Sequence, residues 1–142
     1  MFEIRILKSG DESVLTRVAD GVFDNEVDPK LVREFLADPH HHIAVAIDDG
    51  IVVASVSGVD YIHPDKPREL WINEVAVAAS HHRRGIAKST LNCLIAHART
   101  LGCHEAWVLT DKSNTAACAL YESQGGASMG DEMEGFEFKL KR

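Results

Sequence analysis

The sequence predicts a mixed α/β fold in which a central sheet carries helices on both faces. Short apolar runs with strand character, clearest at residues 43–62, are followed by segments of helical periodicity, clearest at residues 86–101. A chain that places a strand, two helices and a hairpin before an alternation of strands and helices packs most economically as one layered sheet. Its 142 residues are expected to form one domain, residues 1–142, large enough for a core without disulfides or metal.

The first half of the chain divides into a strand, two helices and a hairpin. The predicted elements are a strand at 3–8, a helix at 11–20, a helix at 29–38, and two strands at 43–48 and 51–62. Asp28 and Pro29 suit the cap and first position of the second helix, and Asp49-Gly50 suits a tight hairpin turn. Gly58 interrupts the long second strand of the hairpin, which indicates a bulge or a close backbone approach.

The second half is predicted to alternate strand and helix after one central strand. The predicted elements are a proline-stiffened loop at 63–69, the central strand at 69–77, a helix at 86–101, a strand at 104–110, a helix at 113–124 and a last strand at 135–140. Gly102 ends the central helix, and Gly125-Gly126 follows the last helix. Trp71 and Trp107 are expected to pack on the faces of the sheet.

Charge and composition restrict the partners. The formal net charge is −7, which argues against nucleic acid because phosphate backbones need a basic surface. The same charge favours a small cationic molecule, which an acidic cleft attracts. No apolar run reaches the length of a membrane span and the N-terminus lacks a signal-peptide pattern, so a cytoplasmic protein without membrane contact is expected.

The spacing of cysteines and histidines does not indicate disulfides or a metal site. Three cysteines without CxxC spacing are expected to be buried, reduced thiols: Cys93, Cys103 and Cys118. The three histidines at 40–42 are adjacent, but only alternate residues of a strand share a face, and no further ligand stands at suitable spacing. We therefore expect no bound metal.

The turn between the central strand and the central helix is the strongest candidate for a ligand site. It is basic, contains Gly85 and opens directly into the helix. A helix N-terminus presents unpaired N–H groups and the positive end of a dipole, and glycine lets a phosphate approach the backbone. Arg83, Arg84, His81 and His82 add charge or donors, so the turn is either a diphosphate site or an ordinary solvated loop.

Two motifs in the chain resemble those of the GNAT superfamily of N-acetyltransferases. The segment His82-Arg83-Arg84-Gly85-Ile86-Ala87 resembles the motif Gln or Arg, two residues, Gly, one residue, Gly or Ala, except for histidine at its first position. The segment from Asn114 to Gly125 resembles the helix that contacts the pantetheine arm, with Gly126 in place of the usual phenylalanine. The order of predicted elements agrees over essentially the whole chain. The resemblance implies a sheet splayed at its central strands, acetyl-CoA as cosubstrate and acetyl transfer to an amine. Because none of the three cysteines has the basic neighbourhood of a nucleophile, direct transfer is expected rather than an acyl-enzyme.

The resemblance assigns residues of the central strand, the turn and the last helix to acetyl-CoA. The implied contacts are Val75, Ala76 and Val77, the turn residues His82, Arg83, Arg84, Gly85, Ile86 and Ala87, and Asn114 with Ala117. Tyr121 stands where the superfamily has the general acid that protonates the leaving thiolate. The alternative for Tyr121 is a core tyrosine whose hydroxyl makes one hydrogen bond.

Glu74 is the predicted general base and a predicted acceptor contact. It interrupts the apolar central strand immediately before Val75, and in a regular strand it would share a face with apolar residues such as Ile72. Its carboxylate is therefore expected to be buried or to lie in a cleft, unless a bulge redirects it; the alternative is a structural ion pair with Arg68. Lesser candidates for the same role are Glu69 and Asp60.

Within the superfamily, the chain most resembles the small single-domain aminoglycoside 3-N-acetyltransferases, which implies a role in antibiotic resistance. The ammonium groups of an aminoglycoside would suit the predicted acceptor carboxylates, which are Asp24, Glu26, Asp28, Asp60 and Glu74, with Asp65 as a further candidate. A polyamine, an amine metabolite or a protein N-terminus are alternative acceptors. A non-catalytic CoA-binding module is the alternative from another class. The open sheet edges are compatible with a homodimer.

Overall fold

The mixed α/β fold that the sequence predicts is confirmed: the described residues form a five-stranded mixed sheet and three α-helices, one strand and one helix fewer than predicted. The computed structural model describes residues 2–130 and 132–141. The chain divides into two units, Met1–Leu109 and Thr110–Arg142. The helices and strands are β1 (Phe2–Ile6), α1 (Pro29–Ala37), β2 (His41–Asp48), β3 (Ile51–His63), β4 (Lys66–Val77), α2 (Ile86–Thr100), β5 (Glu105–Val108) and α3 (Thr115–Ser123). Of these helices and strands, α3 alone belongs to the second unit. The assignment of one domain to residues 1–142 stays a prediction.

The sheet lies entirely in the first unit and has the order β1-β2-β3-β4-β5. Strands β1 to β4 pair antiparallel with one another, and β5 runs parallel to β4. Helix α2 packs against β1 through β4, and α1 packs against β2. Both faces of β2 and β3 are buried, which explains why these strands read as nearly continuous apolar runs. The most deeply buried large side chains are Val45, Val52, Val56, Leu70, Leu91 and Leu94.

Local sequence signals are confirmed at two element boundaries. The Asp28 carboxylate accepts a hydrogen bond from the Lys30 backbone N–H at 2.8 Å, and Pro29 is the first residue of α1. Asp49 and Gly50 both have positive φ, +51° and +78°, which is the backbone that a two-residue hairpin turn requires. The β2–β3 hairpin therefore turns at Asp49-Gly50, as predicted.

Two predicted segments of the first unit differ in the structure. The helix expected at 11–20 is only a short 3₁₀ helix, Glu12–Thr16, because the chain after it pairs with β3: the Val52 N–H donates to the Arg17 carbonyl, and the Ala19 N–H donates to the Val52 carbonyl. The loop expected at 63–69 is instead a hairpin, in which β3 extends to His63 and β4 starts at Lys66.

The last strand predicted at 135–140 is wrong. The described residues 127–130 and 132–141 of the second unit contain no strand. Phe136, Phe138 and Leu140 alternate as in a strand with one apolar face, but they are 80%, 82% and 95% exposed. A strand needs a partner for its backbone N–H and C=O groups. The described part of this unit offers none, since α3 is its only helix or strand, so the alternating pattern alone is insufficient.

Candidate active site

The central strand β4 has an open edge at its C-terminal end. Pairing of β4 with β5 covers only four residues, from Glu69 opposite Glu105 to Ile72 opposite Val108. Strand β4 continues to Val77 while remaining paired with β3 on its other side. The two parallel strands thus separate after Ile72, which is the splayed arrangement that the resemblance implies.

Backbone N–H and C=O groups alternate in direction along a strand, and this alternation decides which of them the open edge of β4 presents. The Ala78 N–H donates to the Val53 carbonyl of β3 at 2.8 Å, so the N–H of Ala76, two residues earlier, also faces β3. The backbone groups of Val75 and Val77 therefore point to the opposite, open side. His82 Nε2 lies 2.9 Å from the Val77 carbonyl oxygen, which leaves the Val75 N–H and C=O and the Val77 N–H on the open edge of the described sheet.

A helix N-terminus follows this edge directly. Gly85 caps α2 in a left-handed conformation, with φ +74°, and a Cβ built on it would meet no atom within 4 Å. The Ser89 N–H makes a backbone hydrogen bond to the Gly85 carbonyl at 3.1 Å, as expected for the first turn of a helix. The N–H groups of Ile86, Ala87 and Lys88 precede it and have no intrahelical acceptor. The turn therefore offers backbone donors and open space to an anion.

Side chains of the turn mainly hold its shape. His81 Nε2 lies 2.7 Å from Asp48 Oδ2, and the guanidinium carbon of Arg84 lies 5.1 Å from the centre of the Phe2 ring. With His82 bound to the backbone of β4, three of the four basic turn residues have intramolecular partners. Arg83 itself adopts a positive φ of +61°. Backbone N–H groups, more than imidazoles, are thus the donors that the turn can offer.

A bulge in β4 redirects Glu74. Ser57 pairs with Glu74 while the next residue of β3, Gly58, pairs with Ile72, so Asn73 is the extra residue of the bulge. The side chain of Glu74 consequently lies on the face opposite to that of Ile72 and is exposed. In a regular strand Glu74 would share a face with Ile72, and that expectation is wrong here. The bulge redirects the side chain, which is the exception that the sequence left open.

The face that carries Glu74 also carries a hydrogen-bonded aromatic cluster. The Tyr61 hydroxyl donates to Glu69 Oε1 at 2.5 Å, and Trp107 Nε1 donates to the Tyr61 hydroxyl at 2.6 Å. The rings of Trp71 and Trp107 stack at 5.8 Å with an interplanar angle of 20°. All four side chains are only partly buried. The sequence predicts only packing roles for the tryptophans and no role for Tyr61; alternation along β3 and β4 is the signal that groups these side chains.

Asp60 lies on the other face of the sheet, in a buried cluster with histidines and an arginine. It is 4% exposed on the face covered by α2, where Arg68 donates to one oxygen, and His42 Nε2 lies 2.6 Å from the other. His40 Nδ1 lies 3.2 Å away, and His97 Nε2 of α2 lies 3.1 Å from His42 Nδ1. Burial acts to raise the pKa of Asp60, but hydrogen bonds from His42, His40 and Arg68 hold it below the usual value. A carboxylate with these partners is not available to an acceptor ammonium group.

The acidic loop before α1 lines a separate cavity. Its volume is about 780 Å³, and its charged lining residues are Glu12, Asp20, Glu26 and Arg33. Asp28 is occupied as the cap of α1, and neither Asp24 nor Glu74 lines the cavity. Of the predicted acceptor carboxylates, Glu26 alone lines the cavity, while Glu74 lies on the exposed face of β4 and Asp60 lies in its buried cluster. Asp65 bonds His63 in the β3–β4 hairpin.

The second unit carries the remaining predicted residues on α3. The Asn114 side-chain oxygen accepts from the Ala117 N–H at 3.0 Å and so caps the helix, while its amide nitrogen remains a donor. Burial, with a smaller contribution from Cys118, raises the pKa of Tyr121, so its hydroxyl stays protonated at neutral pH. Gly126 lies against this tyrosine, since a Cβ there would be 2.9 Å from the Tyr121 carbonyl oxygen.

The cysteines are free thiols, as predicted, although they are only partly buried. Burial raises the pKa of Cys93 and of Cys103, which keeps both thiols protonated and weakly nucleophilic. Among the described residues no group of three or more His, Cys, Asp or Glu side chains is arranged to hold a metal ion. No helix in residues 2–130 or 132–141 has the length and apolarity needed to cross a membrane.

Comparison with protein families identifies the class of this protein. The model of the acetyltransferase (GNAT) family matches residues 13–126, which include the open strand, the turn, α2 and α3. The chain belongs to this family and is an acetyltransferase. A search of curated protein sequences finds no match.

Solved structures share the fold over the full length at low identity. An aminoglycoside acetyltransferase from an uncultured soil metagenomic sample, in complex with trehalose, superposes with a TM-score of 0.83 at 19% identity, covering 99% of this chain and 97% of that chain. The aminoglycoside N-acetyltransferase AAC(6')-Iy in complex with CoA gives 0.72 at 19%, covering 100% and 95%. A ribosomal-protein-alanine N-acetyltransferase from Brucella melitensis biovar Abortus 2308 gives 0.71 at 19%, covering 99% and 100%. At these identities the likeness establishes the fold.

Proposed function

We propose that the protein transfers the acetyl group of acetyl-CoA directly to a primary amine of a small cationic acceptor. The observation that carries this proposal is the open edge of β4 at Val75 and Val77, followed immediately by the N-terminus of α2. An extended pantetheine arm can pair with such an edge as a further strand would, and the unpaired N–H groups behind Gly85 suit its pyrophosphate.

The reaction requires a polarised thioester and a neutral amine. An N–H of Val75 or Val77 is the donor for the carbonyl oxygen, on which negative charge develops during attack. An ordinary primary ammonium group titrates near pH ~10, so it must lose a proton before its nitrogen can attack. Glu74, exposed next to this edge, is the proposed acceptor of that proton, directly or through water. The tetrahedral intermediate then expels the CoA thiolate and leaves an amide.

Tyr121 is the proposed donor of the proton that the thiolate takes up. Its raised pKa keeps the hydroxyl protonated, as a general acid requires. Asn114 is proposed to donate from its amide nitrogen to the pantetheine arm, since its oxygen is used to cap α3. The protonated thiols of Cys93 and Cys103 favour direct transfer over an acetyl-enzyme intermediate.

An aminoglycoside is the proposed acceptor, with the 3-amino group as the proposed position. The net charge of −7 and the carboxylates at Glu74, Glu26 and Asp20 favour a molecule with several ammonium groups. Structures of the same fold include an aminoglycoside acetyltransferase in complex with sisomicin and AAC(6')-Iy with a bisubstrate analogue of CoA and acetylneamine. Polyamines are the second class, because they carry the same charge pattern.

The test is an acetyl-CoA assay over aminoglycosides, polyamines and an alanine-terminated peptide, with release of the CoA thiol as the readout and the acetylated position determined by mass spectrometry and NMR. We expect turnover with aminoglycosides at the 3-amino group. Turnover only with polyamines or the peptide would reject the aminoglycoside assignment and retain the enzyme class. Tight acetyl-CoA binding without acetylation of any amine would favour a non-catalytic CoA-binding module.

A further inference from the structure

The face of the sheet that carries Glu74 combines two carboxylates with an aromatic surface between them. Glu69, Trp71 and Glu74 follow one another on this face of β4, and Trp107 of β5 lies opposite Trp71. The partners of Glu69 and Glu74 on β3 are Tyr61 and Ser57, four residues apart. At about 3.3 Å per residue, the two glutamates are separated by about 13 Å along the sheet.

Glu69 is held in one orientation. One of its oxygens, Oε1, accepts from the Tyr61 hydroxyl at 2.5 Å and from Trp107 Nε1 at 3.2 Å. Burial and the hydrogen bond to Glu69 both raise the pKa of Tyr61, which keeps the hydroxyl a donor. A half-buried carboxylate that is fixed through one oxygen by two neutral donors keeps its other oxygen, Oε2, with capacity for another donor.

The tryptophans complete a surface for a cation with a carbon skeleton. Trp71 and Trp107 are half-buried and stacked, so indole surface remains accessible beside Glu69. Indole faces attract ammonium groups and pack against the apolar faces of rings and methylene chains.

We propose that this face selects acceptors with at least two ammonium groups separated by a carbon skeleton. The reacting amine lies at Glu74, the skeleton lies on Trp71 and Trp107, and a second ammonium group binds Glu69; Tyr61 is a positioning residue for Glu69. This inference rests on the proposed acetyl transfer at Glu74 and adds the basis of acceptor selection. It assigns Glu69, rather than the buried Asp60, as the second acceptor carboxylate.

The experiment compares acceptors that differ in their second charge, using the full chain. Neamine is compared with cyclohexylamine, and spermidine with hexylamine, in wild type and in Glu69→Gln. For the multiply charged acceptors, Glu69→Gln should lower kcat/KM about tenfold, the loss expected for one charge-assisted hydrogen bond. For the two monoamines the change should stay within about twofold, because they have no group for Glu69 to bind.

Glu105→Gln is the matched control, since it removes the same charge from the adjacent strand without touching the bond between Tyr61 and Glu69. Its effect on neamine and spermidine should be about threefold or less, in the range of a surface charge. Tyr61→Phe should raise KM for neamine several-fold, leaving kcat and the monoamines unchanged. Equal losses in Glu69→Gln and Glu105→Gln, or equal losses for monoamines and multiply charged acceptors, would overturn the proposal.

The affinity of the CoA-saturated protein for neamine, measured by calorimetry, tests the binding surface independently of acetyl transfer. Weaker neamine binding in Glu69→Gln without acetylation of any amine would support the binding surface and reject the acetyl transfer. Acetylation of neamine with kcat/KM and neamine affinity unchanged in Glu69→Gln would support the activity and reject the selection by Glu69.

Discussion

A Cβ on Gly58 would lie 2.8 Å from the carbonyl oxygen of Trp71, closer than such contacts allow, so only glycine lets β3 approach β4 at this point. The bulge begins here: Gly58 faces Ile72, while Ser57 faces Glu74. The extra residue, Asn73, shifts the alternation of β4 and turns Glu74 to the exposed face. The close approach at Gly58 thus lies at the bulge that presents the proposed base on the exposed face.

Gly58→Ala should therefore reduce both stability and activity. Overpacking at this contact is expected to cost about 1–3 kcal/mol of unfolding free energy. Because relief of the clash moves β3 relative to β4, kcat/KM should fall by about tenfold or more at temperatures where the variant is folded. Gly135→Ala, where a Cβ meets no atom within 4 Å, is the control and should match wild type in denaturant unfolding and turnover. An active, fully stable Gly58→Ala would show that the bulge does not depend on this glycine.

His82→Ala should weaken acetyl-CoA binding by loosening the turn. The imidazole binds the Val77 carbonyl and so holds the turn against the end of β4. Loss of one hydrogen bond costs about 1 kcal/mol, so KM for acetyl-CoA should rise about fivefold with little change in kcat. Steady-state kinetics and calorimetry provide the measurement, with His63→Ala in the distant hairpin as the control. A fall in kcat at unchanged acetyl-CoA affinity would instead assign His82 to the chemistry.

Asp60→Asn should affect folding and leave acceptor recognition intact. Removing one partner of a buried ion pair costs about 3 kcal/mol, and here it leaves Arg68 beside two histidines without a countercharge. Thermal unfolding should show a large fall in Tm, while KM for the acceptor, measured well below that Tm, stays unchanged. A selective rise in acceptor KM at unchanged Tm would restore the sequence-based role of Asp60 in substrate binding.

The histidines beside Asp60 should make stability depend on pH. Burial lowers the pKa of His97, the charge of His42 lowers it further, and Asp60 opposes both. Since the folded state then binds its proton less readily than the unfolded chain, stability is retained above the ordinary pKa near ~6.5 and lost as pH falls through and below it. Tm measured between pH ~8 and ~5 should therefore fall more steeply in wild type than in His97→Gln. Parallel curves for the two proteins would exclude this contribution.

Sequence patterns predicted the parts of the molecule that depend on local physics. The cap at Asp28, the turn at Asp49-Gly50 and the close approach at Gly58 each follow from the conformational range of one or two residues. The segments that were predicted wrongly depend on pairing between residues that are distant in sequence. Residues 17–19 pair with β3 and so end the predicted helix early, while residues 135–140 lack a partner strand in their unit.

In the candidate site, too, the features that depend on local residues were predictable, and those that depend on pairing between distant residues were not. The open edge and the α2 N-terminus were predictable because a motif marks them, whereas the face of Glu74 was not, since one bulge residue reverses the alternation. Asp60 looked like an acceptor carboxylate because its partners His40, His42 and Arg68 are distant in sequence or on another strand. The cluster of Tyr61, Glu69 and Trp107 was missed for the same reason.

The most direct test of the account is the turnover of Glu74→Gln with saturating acetyl-CoA and an aminoglycoside acceptor, measured together with the Kd of acetyl-CoA. If Glu74 removes the proton from the attacking amine, kcat/KM should fall by about 100-fold or more, with the acetyl-CoA Kd unchanged within about twofold. Glu105→Gln, on the same face, should retain most of the activity. Wild-type turnover in Glu74→Gln would contradict the assignment of this strand and its carboxylate as the catalytic centre.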